Sequence, residues 1–260
     1  MALNPNIRWP STTRSRERPT GPQPQYQWPS EERILTNYAL AATHRALEAD
    51  LGGIPITRVT QFVIGWMRAA FHQSVAIATL TKRGLATTAA PNRRSFAEIA
   101  VRLQWLHSTK QEDRAGALDA MLDHERELTE KNQEHLRDMG FDSDLDLSAY
   151  QEMVFNSADG ALKNEARQFL AAAKRNESLS VGLYAAWREE TQYTHATGAM
   201  AAAYAPANGR APFPSVMDPD LSSHIYAMFL IVTLTYNLLT EEGIDEGAAK
   251  VIVNEFVGVR

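Results

Sequence analysis

The chain has 260 residues, 44% of them apolar, with 26 Lys and Arg against 31 Asp and Glu, a net charge of −5 and no cysteine. That length and apolar content supply one sizeable core or two small ones, and the missing cysteine excludes disulfides, thiolate nucleophiles and Cys-ligated metals. An acidic chain with a pI of about 5.8 is a poor general ligand for nucleic acid, because phosphate neutralisation needs clustered Lys and Arg.

Residues 1–29 hold six of the twelve prolines and few aliphatic side chains. Arg8, Arg14, Arg16 and Arg18 against Glu17 give this stretch a net +3, leaving −8 for the rest. Such a segment cannot bury enough surface to offset its ordering entropy. It reads as a disordered arm, with Trp9, Tyr26 and Trp28 available to dock on a partner protein or on the body. It has no apolar stretch of the secretory kind, and the longest apolar run, 227–239, falls short of the roughly 20 residues a bilayer requires. A cytoplasmic protein without a membrane span is the expectation.

From Ser30 the pattern becomes helical. Residues 30–53 open on a capping serine and end at Gly52 and Gly53, with Leu40, Leu47 and Leu51 on one face. Pro55 suits a first helical position and leads a long, mostly apolar helix to Gly84. Residues 93–109 place Phe96, Ile99, Leu103 and Leu106 together, and 111–140 form a highly charged amphipathic helix. Further helices are predicted over 147–174, 177–204, 219–239 and 243–257, with a proline-rich loop at 205–219. Strand alternation and fixed-period repeats are both missing. The reading is all-α: a single helical bundle domain of about eight helices over 30–260, behind the disordered arm.

Several chemistries have no support. The chain carries neither a phosphate-binding glycine loop nor a dinucleotide turn, and neither HExxH nor GxSxG. A Glu-x-x-His pair, which a di-iron bundle needs twice, does not occur. Residues 142–153 begin like a calcium loop but place Leu147 and Met153 where Gly and Glu are required. No cofactor and no metal are expected.

The polar exception is "WREETQYTHAT", 187–197, inside an alanine-rich helix. Residues seven apart on a helix differ by only about 20° in direction, so Tyr184, Arg188, Thr191 and His195 fall on one stripe. Arg188 suits a phosphate or developing negative charge, His195 suits general acid–base work, and Thr191 suits orienting either. The rival reading is a structural polar seam between helices. "RRSFAE" is the second candidate: Arg94, Glu98 and Arg102 are spaced as an i,i+4 ion ladder, or else Arg94 and Glu98 turn inward and Glu98 pairs with Arg188. His124 and His135 read as solvated, His72 and His224 as satisfied core histidines, and His44 and His107 show no partner pattern.

"RRSFAEIAVRLQWL" followed by "YAAWREETQYTHAT" resembles a bacterial domain-of-unknown-function family of helical proteins, over roughly residues 55–205. Its Arg-Ser-x-x-Glu element falls on Arg94, Ser95 and Glu98, and its Ser-x-x-x-His element falls on Thr191 and His195, with Thr for Ser. That family is similar in style to HEPN domains, whose signature is Arg, four to six residues, then His. Arg188 and His195 fit its longest spacing, although Glu189 stands where Asn or Asp usually follows the Arg. The resemblance implies an all-α fold and a metal-independent endoribonuclease of toxin or defence type, acting on RNA as a homodimer. Arg188, His195 and Thr191 would be catalytic, supported by Arg94, Glu98 and Tyr184. The competing expectations are a non-enzymatic interaction module that docks a partner protein through the arm, and a bundle that binds an apolar small molecule.

Overall fold

The computed structural model describes residues 30–141, 158, 160–175, 177–203 and 221–259. Among these residues every regular element is helical: α1 (Ser30–Glu48), α2 (Arg58–Lys82), a 3-10 turn (Ala86–Ala89), α3 (Ala90–Ser108), α4 (Gln111–Asp138), α5 (Gly160–Arg167), α6 (Phe169–Arg175), α7 (Glu177–Thr194), α8 (Gly198–Ala203), α9 (Leu221–Glu241) and α10 (Glu246–Val257). The chain is an all-α helical bundle. The arm at 1–29, the acid-rich stretch at 142–157 and the loop at 204–220 lie outside the described residues, and so do the readings made on them.

The core forms where small side chains let helices approach. On α1 the predicted leucine face is not the buried one: Leu40 and Leu47 are half-buried, whereas Thr36, Ala39, Ala42, Thr43 and Ala46 are enclosed. These recur at helical spacing and seat α1 on α2. The buried side chains of α2 include Val63, Met67, Phe71 and Ile77. Helix α3 contributes Leu103, Trp105 and Leu106, all fully buried. Helix α9 is long and apolar enough to cross a bilayer by length and composition. Here it packs on α1, α2, α3 and α10 and buries Met228, Ile231, Leu238 and Leu239, each worth about 2 kcal/mol of transfer free energy.

The helix ends explain where the predicted boundaries move. Helix α2 begins at Arg58, not at Pro55, because Thr57 and Thr60 form a reciprocal cap: the Thr57 hydroxyl accepts from Thr60 N, and the Thr57 N–H donates to Thr60 Oγ1 at 2.8 Å. Two buried-side arginines close other termini. Arg114 at the start of α4 donates to the carbonyls of Leu106 and Thr109 at 3.1 Å and pairs with Glu241 and Glu242. The α3–α4 corner is thereby tied to the end of α9. Arg45 on α1 donates to the Glu255 and Phe256 carbonyls at 2.8 Å, satisfying the last turn of α10 where Gly258 turns left-handed at φ 76°. Only glycine takes that conformation without strain.

Candidate functional site

Helix α7 lies along α3, and the contact is polar. The Arg93 guanidinium binds Glu190 through two bonds, Nε to Oε1 at 2.5 Å and Nη2 to Oε2 at 2.9 Å, with both side chains largely buried. At the next residue on each helix, Arg94 Nε donates to Thr191 Oγ1 at 3.2 Å, and its guanidinium sits 5.1 Å from the centre of the Trp187 ring. Thr191 itself donates to the Trp187 carbonyl at 2.7 Å. Trp187 Nε1 donates to Glu98 Oε2 at 3.1 Å. Tyr184 stacks on Trp187 with ring centres 5.8 Å apart, and Phe169 of α6 closes on the same indole at 4.6 Å.

Of the residues singled out in the sequence, Arg94, Glu98, Thr191 and Tyr184 therefore converge around Trp187. Arg188 and His195 do not join them. Both are exposed, and among the described residues neither side chain has a hydrogen bond or an ion pair. The ladder from Arg94 to Glu98 is not formed either: Arg94 reaches across to α7, and the partner of Glu98 is Trp187 where Arg188 was expected.

His195 also departs from the predicted stripe. Helix α7 ends at Thr194, and His195 lies in the bend before α8. The break comes from hydroxyls competing with the helix backbone. Thr194 Oγ1 bonds back to the Glu190 carbonyl at 2.8 Å, while Thr197 Oγ1 bonds the Gln192 carbonyl and accepts from Met200 N, capping the next helix. The helix predicted as continuous over 177–204 is two helices, so a 3.6-residue period no longer relates Arg188 to His195.

A second site lies on the opposite side of Glu98. Helices α2, α3, α4 and α5 enclose a half-open groove of about 410 Å³. Its ionisable walls are Glu98 and Arg102 from α3, His124 and Glu125 from α4, and Arg167 from α5; Trp66, Ile99, Met121 and Leu128 supply apolar surface. Arg102 is fixed by its surroundings. Its Nη1 donates to the Glu165 carbonyl at 3.0 Å, and its guanidinium lies 5.6 Å from the Trp105 ring centre and 5.7 Å from that of Phe169. Burial lowers its pKa, against the charges of Glu98 and Glu125, which raise it. Burial raises the Glu125 carboxyl, opposed by Arg102 and His124. Arg167 binds Glu127 at 2.7 Å and Asp123 at 3.2 Å, and that bond to Glu127 is the main reason its carboxyl is lowered. His124 Nδ1 and Arg167 Nε are buried without a hydrogen-bond partner among the described residues.

The groove was only half visible in the sequence. Glu98 and Arg102 stand one turn apart on α3, and Met121, Glu125 and Leu128 follow i, i+4, i+7 spacing on α4. His124 reads as solvated from the charge around it, because only the packing of α5 onto α4 places it on a wall. The other histidines also sort by packing. His72 is exposed, contrary to its core assignment. His224 is held as expected, 2.7 Å from Ser74 Oγ and 4.6 Å from the Phe96 ring. Burial, with the Arg93 charge second, lowers its pKa to about 4. His107 lies 3.2 Å from Glu241.

No group of three or more His, Asp or Glu side chains that could hold a metal ion occurs among the described residues. No protein-family model matches the chain, and no curated protein and no solved structure matches it.

Proposed function

We propose that the groove between α2, α3, α4 and α5 is the functional site, that it binds a small polar molecule, and that its ionisable walls can move a proton on that molecule. The observation that carries this reading is the meeting of a partly desolvated carboxyl, Glu125, and a desolvated guanidinium, Arg102, in one accessible cavity of about 410 Å³. Cavities of this size that combine apolar walls with a few convergent polar groups are the usual form of a small-molecule site. Perturbed titration there is a common mark of function. A raised Glu125 is, once ionised, a stronger base than an ordinary carboxylate, which suits proton transfer to and from a bound molecule. The test is a fragment screen read on the methyl resonances of Met121 and Leu128 in wild type, and of Met121 in Leu128→Trp, which places a bulkier side chain in the groove. Fragments that shift both methyls in wild type and lose affinity in the variant support the reading; fragments that gather elsewhere overturn it.

A second reading is a HEPN-like, metal-independent endoribonuclease, favoured by the exposure of the Arg188 and His195 side chains, which have no partners among the described residues. His195 would take the proton of a ribose 2′-hydroxyl, or give one to the leaving 5′-oxygen, as the 2′-oxygen–phosphorus bond forms and the 5′-oxygen–phosphorus bond breaks. Arg188 would hold the scissile phosphate. Thr191 is occupied by Arg94 and the Trp187 carbonyl and would only position this end of α7. A homodimer would bring two such pairs together. Cleavage of total RNA in EDTA by wild type and not by a folded His195→Ala variant supports this reading; equal activity, or none in either, removes it.

A further inference from the structure

The polar atoms that the groove leaves unused have a definite pattern. Arg102 spends Nη1 on the Glu165 carbonyl; its remaining guanidinium donors have no hydrogen-bond partner among the described residues. Glu98 spends Oε2 on Trp187, which leaves its other oxygen. The Glu125 carboxylate accepts no hydrogen bond from the described residues, yet stands close enough to Arg102 for each to shift the other. One wall thus offers unused cationic donors, flanked by unused carboxylate oxygens on α3 and α4. Glu98 and Arg102 are one helical turn apart, about 6 Å along the axis. Trp66, Met121 and Leu128 add an apolar surface to the same cavity.

The arrangement discriminates by charge. A simple anion would be drawn to Arg102, and to Arg167 only as far as its pairing with Asp123 and Glu127 leaves charge to spare, but would be repelled by Glu98 and Glu125. A simple cation would meet the reverse. A molecule carrying both charges a few bonds apart satisfies both sets at once, whereas one that carries a single charge leaves the other set without a partner. Resting on the reading of the groove as the ligand site, we infer that its ligand is a small zwitterion of the α-amino-acid type with an apolar side chain. Its carboxylate would lie on Arg102, its ammonium between Glu98 and Glu125, and its side chain toward Trp66 and Leu128.

Three probes with the same isobutyl group test this on the full chain at neutral pH: L-leucine, 3-methylbutylamine, which lacks the carboxylate, and 4-methylpentanoate, which lacks the ammonium. Titrations are followed on the Met121 and Leu128 methyl resonances. L-Leucine is expected to shift both saturably, with each truncated probe at least about tenfold weaker, as expected for loss of a charge-assisted contact. Glu125→Gln, at an exposed position that tolerates change, and Arg102→Gln should each weaken L-leucine by about tenfold or more. If Arg102→Gln fails to fold, Glu125→Gln decides alone. An amine that binds as tightly as leucine makes the groove a cation site, and a carboxylate that does so makes it an anion site. Either result overturns the inference and leaves the groove a ligand site. If none of the three moves the methyls, the zwitterion is overturned; the groove reading falls with it only when the fragment screen also leaves them unmoved.

Discussion

Acid should destabilise this protein in a window set by one histidine. His224 has an ordinary pKa of 6.5 and a folded value of about 4. The ring lies against Ser74 and Phe96, with Arg93 as the nearest charge that acts on it and Glu190 paired to that arginine. Because the folded value is depressed, the unfolded chain takes up a proton first as pH falls. Above pH 6.5 both states are neutral at this site and nothing is lost. Between 6.5 and about 4 the unfolded state alone is charged, and stability declines. Each pH unit within that window costs about 1.4 kcal/mol, so the whole window costs about 3 kcal/mol. Urea unfolding at half-unit pH steps measures it. His224→Gln keeps a side chain able to bond Ser74 but has no proton to gain, so its stability should stay nearly flat from pH 6.5 to 5 while wild type falls. Parallel curves for the two proteins would refute the argument, because the acid response would then belong to other groups.

Three further outcomes follow from the seam and the helix ends. Arg93→Ala and Glu190→Ala should each cost about 2–3 kcal/mol, since each leaves a largely buried charge without its partner, whereas the double variant should cost well under the sum; a double-mutant cycle in urea reads the coupling. Arg114→Met should cost about 3–5 kcal/mol in the same assay, because it strands three α3-end carbonyls and two glutamates around a side chain only 3% exposed. Gly258→Ala should lower stability by about 1 kcal/mol or more, because its φ of 76° suits glycine and the added Cβ would stand 3.3 Å from the Arg45 guanidinium. A neutral result there would mean that the end of α10 unwinds at little cost.

The helices themselves were legible from local pattern. Apolar periodicity marked α2, α3 and α9, and the glycine and proline breaks marked their ends within a few residues, because both signals act along a single segment. Where a side chain competed with the backbone, the local reading was incomplete. Thr57 and Thr60 shortened α2, and Thr197 split the predicted 177–204 helix. The missing information was which hydroxyl would win its carbonyl. The face of a helix was less secure than its existence. On α1 leucines look like the core face, but alanines and threonines are buried, since close helix approach rewards small volume as well as apolar area.

The polar residues show what sequence by itself determined and what only the tertiary structure decided. Sequence established that "RRSFAE" and "WREETQYT" are unusual polar patches on otherwise apolar or alanine-rich helices. It did not determine partners. Arg93 and Glu190 stand 97 residues apart, and Glu98 and Trp187 stand 89 apart, and no periodicity relates positions on different helices. The antiparallel lie of α7 on α3 assigned Arg94 to Thr191 and left Arg188 and His195 on the surface. The packing of α5 onto α4 turned two histidine-and-carboxylate neighbours on a charged helix into the wall of a groove. Helical character is written in the chain because hydrogen bonds between residues four apart impose it. The site exists only after packing, because charge, burial and the choice of partner are properties of the space between helices.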